Sequence, residues 1–541
     1  MQKTFVRVTM GFVLVVLVLW SLNGEAAEDM GPGQAREWLR FGVHVADAGT
    51  FDPHLAKGSQ DRALADMLFN GLLRYVPGQA PCFEPDLAED FPDFYLRNNN
   101  QIWTIRLKQP VFFHAENGEA PALLTAEDVV YSLRKAADPQ RSHYAGEYTG
   151  MRFEAVDAAT VRITLEEPLS PLLFFPKISN YAGGFILSKP AAEDRDAPGV
   201  VQPPVGSGPF QFDRHIPGEY TRLVAHDQYF KGRPNVRGVI VRYLPRLAQR
   251  EAAFQNGQLD VYVGSGDPDW VEQVRQRTGR IFDVYGVGET MTLHLNTWKE
   301  PLDDPRVRRA LVLALDRTAF LKSTSRHIVE PVYAPVPERC VFGGLNKETV
   351  KSLDLDYPLN LHKARQLLSE AGYSQGFSLS MIVSEKRIYR ECAKLCQEQL
   401  QRINVACSID IVPHQEMHQR IRNDEADLVL YGAWRPTADA FLSQFFHSDS
   451  IVGSGRTSDT NFSHYTKVDA LIEAARQEID PNKQRQFWDH AQIRILSDAA
   501  AYPLFAVKQN CVRRSDLDYG HSLQASMALY PQFTETTRFV R

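Results

Sequence analysis

Six cysteines are all that 541 residues contain, too few to staple a chain of this length, so a disulfide-built scaffold is excluded. Basic blocks are missing as well. The 60 Lys and Arg are outnumbered by 66 Asp and Glu, the net charge is -6, and the charges are dispersed, which argues against nucleic acid as a partner. Beyond Trp20 charge interrupts every apolar run, so no later segment offers the roughly 20 apolar residues of a membrane span. No internal repeat and no low-complexity linker breaks the chain. What remains is globular in composition, 44% hydrophobic and 23% charged. A chain this long forms several domains, because one core stops growing at roughly 250–300 residues.

The first residues are different in kind. Lys3 and Arg7 precede an apolar stretch from Met10 to Trp20, and small residues at Gly24 and Ala26 follow. A basic start, a short apolar region and a small-x-small site define a cleavable signal peptide, here over residues 1–26. No cysteine lies near the cut, so the acylated cysteine of a bacterial lipoprotein has no residue to form on. The mature protein is expected to be free in solution outside the cytoplasm.

Helical and strand patterns alternate, which predicts an α/β chain. Asp61 to Leu73 reads as a helix with Leu64, Met67, Leu68 and Leu72 on one face. Trp103 to Lys108 and Val161 to Leu165 alternate as half-buried strands. Thr125 and Asp304-Pro305 open helices by capping and by proline at the first turn. Asn360 to Ala371 is a helix closed by Gly372; Thr466 to Glu478 and Asp480 to Leu496 complete the set. Pro198 to Pro209 is the clearest non-helical joint. Cys392 and Cys396 sit four apart on a helix and face the same way, as a structural disulfide or two buried thiols. The pairing of Cys82, Cys340, Cys392, Cys396, Cys407 and Cys511 stays open.

Catalytic motifs are present only in fragments. Gly372-Tyr373-Ser374-Gln375-Gly376 has the spelling of a nucleophile elbow, but a helix precedes it and a strand follows, the reverse of the required order. It reads as a helix cap and turn. His414 and His418 have zinc-gripping spacing, yet Glu416 stands at the wrong place for a zinc protease. Gly206-Ser207-Gly208 and Gly264-Ser265-Gly266 lack the Lys-Ser/Thr of a phosphate loop and read as turns. No catalytic constellation, cofactor site or metal site emerges.

The order of segments carries more information. Phe51-Asp52-Pro53-His54-Leu55 leads to Leu68-Phe69-Asn70-Gly71-Leu72-Leu73-Arg74-Tyr75, Glu84-Pro85-Asp86-Leu87-Ala88-Glu89 and Leu124-Thr125-Ala126-Glu127-Asp128-Val129-Val130-Tyr131-Ser132. Then follow Gly206-Ser207-Gly208-Pro209-Phe210, Asp227-Gln228-Tyr229-Phe230-Lys231-Gly232-Arg233-Pro234, Phe254-Gln255-Asn256-Gly257-Gln258-Leu259-Asp260 and Asp304-Pro305-Arg306-Val307-Arg308-Arg309-Ala310-Leu311. This collinear series resembles the bacterial extracellular solute-binding proteins of family 5, the dipeptide, oligopeptide and nickel-binding receptors of ABC importers. The resemblance implies a periplasmic-binding-protein-like α/β fold of two lobes (class II, large), with an extra domain inserted in the first lobe. Mapped here, the first lobe takes 37–75, 205–285 and 500–541, the insert 76–204, and the second lobe 286–499.

It also implies a function: capture of a peptide or other small organic solute in the interlobe cleft, for delivery to an inner-membrane ABC permease, by a periplasmic monomer that is no enzyme. Two alternatives stand beside it, a ligand-sensing receptor for a membrane signalling partner and an exported hydrolase using Ser374 or His414 and His418. Peptide-binding members share a G-W-x-x-D-x-x-D-P-x-x-F-L segment whose first Asp grips the ligand's amino group. The matching stretch runs from Gly432 to Leu442, and counting back from Phe441-Leu442 puts Trp434 where that Asp stands. Arg435 beside it would repel a cation and attract an anion. Asp439 matches the later Asp. The candidate ligand-binding residues are therefore Gly432, Trp434, Arg435 and Asp439, with His54 and Arg387 as further cleft candidates.

Overall fold

Local signals set most element ends. In the computed structural model, which describes residues 37–115, 120–195, 203–339 and 341–540, Asp304 accepts from the Arg306 amide at 2.7 Å and starts the helix Pro305–Leu313. Asn360 caps Leu361–Glu370 through the Lys363 amide at 2.9 Å, and Gly372 follows with φ +91°, the left-handed conformation that ends a helix at little cost to glycine. Asp480 caps Pro481–Ser497 in the same manner. The export segment 1–26, Cys340 and residues 198–202 of the proline joint lie outside the described residues.

One expected helix is shorter than its pattern. The helix Ser59–Leu68 stops before Leu72, and Leu73–Tyr75 is a strand paired with Phe83–Pro85. Gly208 donates its amide to the Leu68 carbonyl at 3.0 Å, and a Cβ on Gly206 would meet that carbonyl oxygen at 1.9 Å. The crossing backbone takes the place of the next helical turn.

An eleven-stranded mixed sheet runs through both lobes. Its path begins with Val405–Val412, Phe377–Ser384 and Leu428–Ala433, passes the long strands Arg280–Leu295 and Ala501–Arg514, and continues through Val261–Val263, Trp38–Val43, Gly238–Tyr243, Tyr220–Ala225 and Phe210–Ile216. The first three are mutually parallel; the inner strand Leu428–Ala433 is an apolar, almost wholly buried run, as a strand covered on both faces is, while the edge strand Val405–Val412 alternates buried and exposed residues. The two long strands are antiparallel and belong to both halves. Between Tyr285 opposite Gln509 and Glu289 opposite Val507 their register shifts, because the first strand carries extra residues there, a bulge that bends the pair. Gly288 sits in that bulge, and a Cβ on it would meet the Val507 carbonyl oxygen at 1.9 Å.

Three large apolar cores result, one in each lobe and one beneath a separate four-stranded sheet of residues 93–165. Trp103 anchors the last, stacked on Phe174 with ring centroids 4.3 Å apart. Asp260 is fully buried yet grips Arg40 through two bonds of 2.8 Å, and Lys231 meets buried Asp86 at 2.5 Å. Cys392, Cys396 and Cys407 are buried free thiols of the second lobe, and Cys82 and Cys511 are also free. No helix among the described residues is long and apolar enough to cross a membrane.

Candidate cleft at the strand crossing

Parallel α/β units send each helix back from the carboxyl end of its strand, and those ends are where such sheets bind ligands. In the second lobe the strands ending at Ser384, Val412 and Ala433 hand over to the helices Arg387–Gln401, His414–Arg422 and Ala438–Phe446. In the first lobe the parallel strands ending at Val43 and Val263 do the same beside the crossing, where the Gly264 amide donates to the Asn510 carbonyl at 3.0 Å. Both carboxyl edges therefore converge on the bulge.

A cavity of about 350 Å³ lies there, lined by His44, Arg250, Gly264–Gly266, Glu289 and Val507–Asn510. That is in the size range of small-molecule sites. Two tighter crevices, one within the first lobe and one between it and residues 180–185, enclose only about 10 Å³ each, no more than one water. Arg250 is 3% exposed; its Nε donates to the Val263 carbonyl at 2.9 Å and its Nη1 to those of Leu244 and Pro245. Burial pushes its pKa down, and no carboxylate among the described residues bridges it. His44 bonds to the Tyr530 hydroxyl through Nδ1 at 3.1 Å, and burial, with Arg250 second, lowers its pKa.

The cleft is bridged at its rims. Arg387 reaches Asp267 of the first lobe at 2.9 Å, and His327 reaches Glu272 at 3.0 Å. On the other side Trp434 packs with Tyr75, Tyr181, Ala525 and Met527, edge-on to Tyr181 at 6.1 Å, with its indole N–H buried and without a hydrogen bond among the described residues.

The residues singled out from sequence fall in three places. Gly432, Trp434 and Arg435 follow one another at the end of Leu428–Ala433, and Arg387 starts the neighbouring helix on the same edge. Arg435 is turned along its own lobe, bonded to Gln444 and lying 4.8 Å over the Phe445 ring. Asp439 pairs with Arg476 at 2.9 Å; burial raises its pKa against that partner. His54 is sealed at 0% exposure, its Nε2 3.0 Å from the Phe185 carbonyl, and burial drives its pKa down to about 4. No ligand in the cleft reaches it in this conformation.

The fragmentary motifs resolve as turns and packing. Gly372 and Gly376 both have positive φ around Ser374, between a helix and a strand. The Nε2 atoms of His414 and His418 lie 3.1 Å apart; burial, then His414, Arg422 and Lys386, lower the pKa of His418 to about 4. That cationic surround disfavours a metal, and no group of three or more His, Cys, Asp or Glu among the described residues is placed to hold one. Gly206-Ser207-Gly208 packs on Leu68, while Gly264-Ser265-Gly266 lines the cavity. Glu289, Arg250, His44 and Asn510 escaped the sequence reading; the interrupted strand Gly286-Val287-Gly288-Glu289 was the available signal.

Residues 83–452 match the family described as bacterial extracellular solute-binding proteins, family 5 Middle. The chain belongs to this family. A solved periplasmic binding protein from A. tumefaciens, MoaA in complex with mannopinic acid, is 35% identical, with a TM-score of 0.72 over 94% of this chain and 100% of that one. Heme-binding protein A of Haemophilus influenzae is 25% identical over 90% of each chain. Di/tripeptide-binding protein 2 of Pseudomonas aeruginosa is 26% identical over 82% of this chain and 84% of its own. The two-lobed α/β fold expected from the sequence is the fold of this family, and its members are binding proteins of the ABC-importer type. This chain is a solute-binding protein.

Proposed function

We propose that the protein is the periplasmic, monomeric capture component of an importer, exported by residues 1–26, without catalytic activity of its own, and delivering its solute to an inner-membrane permease. The observation that carries this reading is the cavity of about 350 Å³ at the strand crossing, where contacts at Arg387–Asp267 and Trp434–Tyr181 also bridge the two sides of the crossing. Those rim contacts are the kind that form when hinged lobes close on a ligand.

The ligand is a small, charged organic solute. Gly432, Trp434, Arg435 and Arg387 stand on the second-lobe side of the crossing, outside the lining of that cavity, where a ligand held between the lobes would meet them, and Asp439 braces that side through Arg476. MoaA, seen with mannopinic acid, supports an acidic solute. Trp434 in place of an amine-gripping Asp argues against ordinary peptide capture at that position. Native mass spectrometry of protein isolated from its host's periplasm tests the reading: one small solute per chain is expected. A chain that leaves the periplasm empty and binds no compound in a metabolite screen would refute it.

A further inference from the structure

Glu289 has no partner among the described residues. It makes no hydrogen bond and no ion pair with any described residue, although it sits on the bulge between the lobes and is open to water. Of the residues lining the cavity it alone is a carboxylate. Its Oε2 comes within 3.7 Å of where a Cβ on Gly432 would stand. The register Thr290 opposite Ala433 and Met291 opposite Gly432 sets Glu289 beside the end of the strand that leads into Trp434. Confinement among protein atoms raises its pKa, with Lys386 opposing.

Being open to water, this carboxylate is accessible to a cationic group that enters the cavity, and it has no ion-pair partner among the described residues. Lys386 attracts Glu289 without forming an ion pair with it, and the cations that line the cavity are committed elsewhere. Lys508 pairs with Glu330 at 2.8 Å, and Arg250 is tied to three backbone carbonyls. Its Nη2 makes no hydrogen bond with any described residue, so the same cavity offers one free anion and one guanidinium edge without a carboxylate.

We propose that Glu289 is the ammonium anchor of this binding site, supplying from the crossing strand the negative charge absent at Trp434, and that Arg250 Nη2 receives a carboxylate of the same ligand. The ligand class is a small solute with an amino group close to a carboxylate. The assignment rests on the solute-binding reading above and adds to it which residue meets which charge.

The test is calorimetry with the free amino acids, mannopinic acid and alanyl-alanine as probes, each beside its N-acetylated or carboxamide derivative where one can be made. Wild-type protein is expected to bind at least one probe and to lose at least tenfold when its amine is acetylated. Glu289→Gln, near-isosteric and breaking no bond, is expected to weaken the amine-bearing probe at least tenfold and to abolish the discrimination against acetylation. A Glu289→Gln protein that binds that probe within twofold of wild type would overturn the assignment. So would a wild-type protein that binds none of these probes; if native mass spectrometry still finds a solute held by that protein, solute binding stands and only the charge assignment falls.

Discussion

Lowering the pH from 7 to 5 is expected to destabilise the wild-type protein by about 2 kcal/mol more than a His294→Phe variant. His294 lies on the long strand Arg280–Leu295, 2% exposed, between the rings of Phe445, Phe446 and Phe462 at 5.5, 6.0 and 5.7 Å. Its Nδ1 has no hydrogen bond among the described residues. Burial alone pushes its pKa down from 6.5 to about 3. The folded protein thus keeps the ring neutral while the unfolded chain protonates it. Stability from this depression is complete above the unfolded pKa and is lost as pH falls from there toward the folded one. At pH 5 the unfolded chain is about 1.5 units below its pKa, and each unit is about 1.4 kcal/mol. His54 and His114, lowered to about 4 and about 3, add to the total slope, but they are common to both proteins and cancel in the comparison. Phenylalanine fits an aromatic surround, and any packing change it brings is present at both pH values. Urea unfolding of both proteins at pH 7 and pH 5 gives the four free energies. Equal pH dependence in the two would mean that His294 is protonated inside the fold and that the core tolerates its charge.

Two further substitutions probe the cleft. Trp434→Ala removes a side chain packed across the crossing against the cluster of Tyr75, Tyr181 and Met527, so the contact between the two sides is weakened; about 1–3 kcal/mol of affinity should go, and titration with the solute recovered from the protein that gives wild-type affinity would remove Trp434 from the site. Gly288→Ala forces a Cβ to 1.9 Å from the Val507 carbonyl oxygen, an overlap between backbones that cannot swing aside, so a loss of about 1–3 kcal/mol in stability is expected and an unchanged thermal midpoint would mean that the bulge has slack.

Scaffold was far more legible in the sequence than site. The motifs that carried the family resemblance turn out to be braces: Asp260 locks Arg40, Lys231 meets Asp86, and Arg308 ties the Leu302 and Asp498 carbonyls together. Each brace is a buried charge whose partner must be present for the lobe to fold, and such residues leave a fixed spelling over local stretches. Helix caps were legible for the same reason, since a cap and its amides lie within a few residues. The helix after Asp61 is shorter than its pattern because the backbone that ends it, at Gly206 and Gly208, comes from a distant part of the chain.

The ligand contacts follow a different logic. Trp434 was found by counting along a motif, and its missing charge looked like a loss of amine recognition. In the sheet, Glu289 stands beside that strand end, on a segment with no local feature except two glycines. A cleft at the crossing of two strands has neighbours drawn from four separate stretches of chain, so a charge removed from one wall can be restored from another without moving the point in space that it serves. Residue roles transferred along a motif then fail at the very place where specificity is set, while the fold around them transfers intact. On the assignment proposed above the consequence is concrete: Glu289 meets the amine, and a Trp434→Asp substitution would add a second carboxylate to the site rather than restore a missing one.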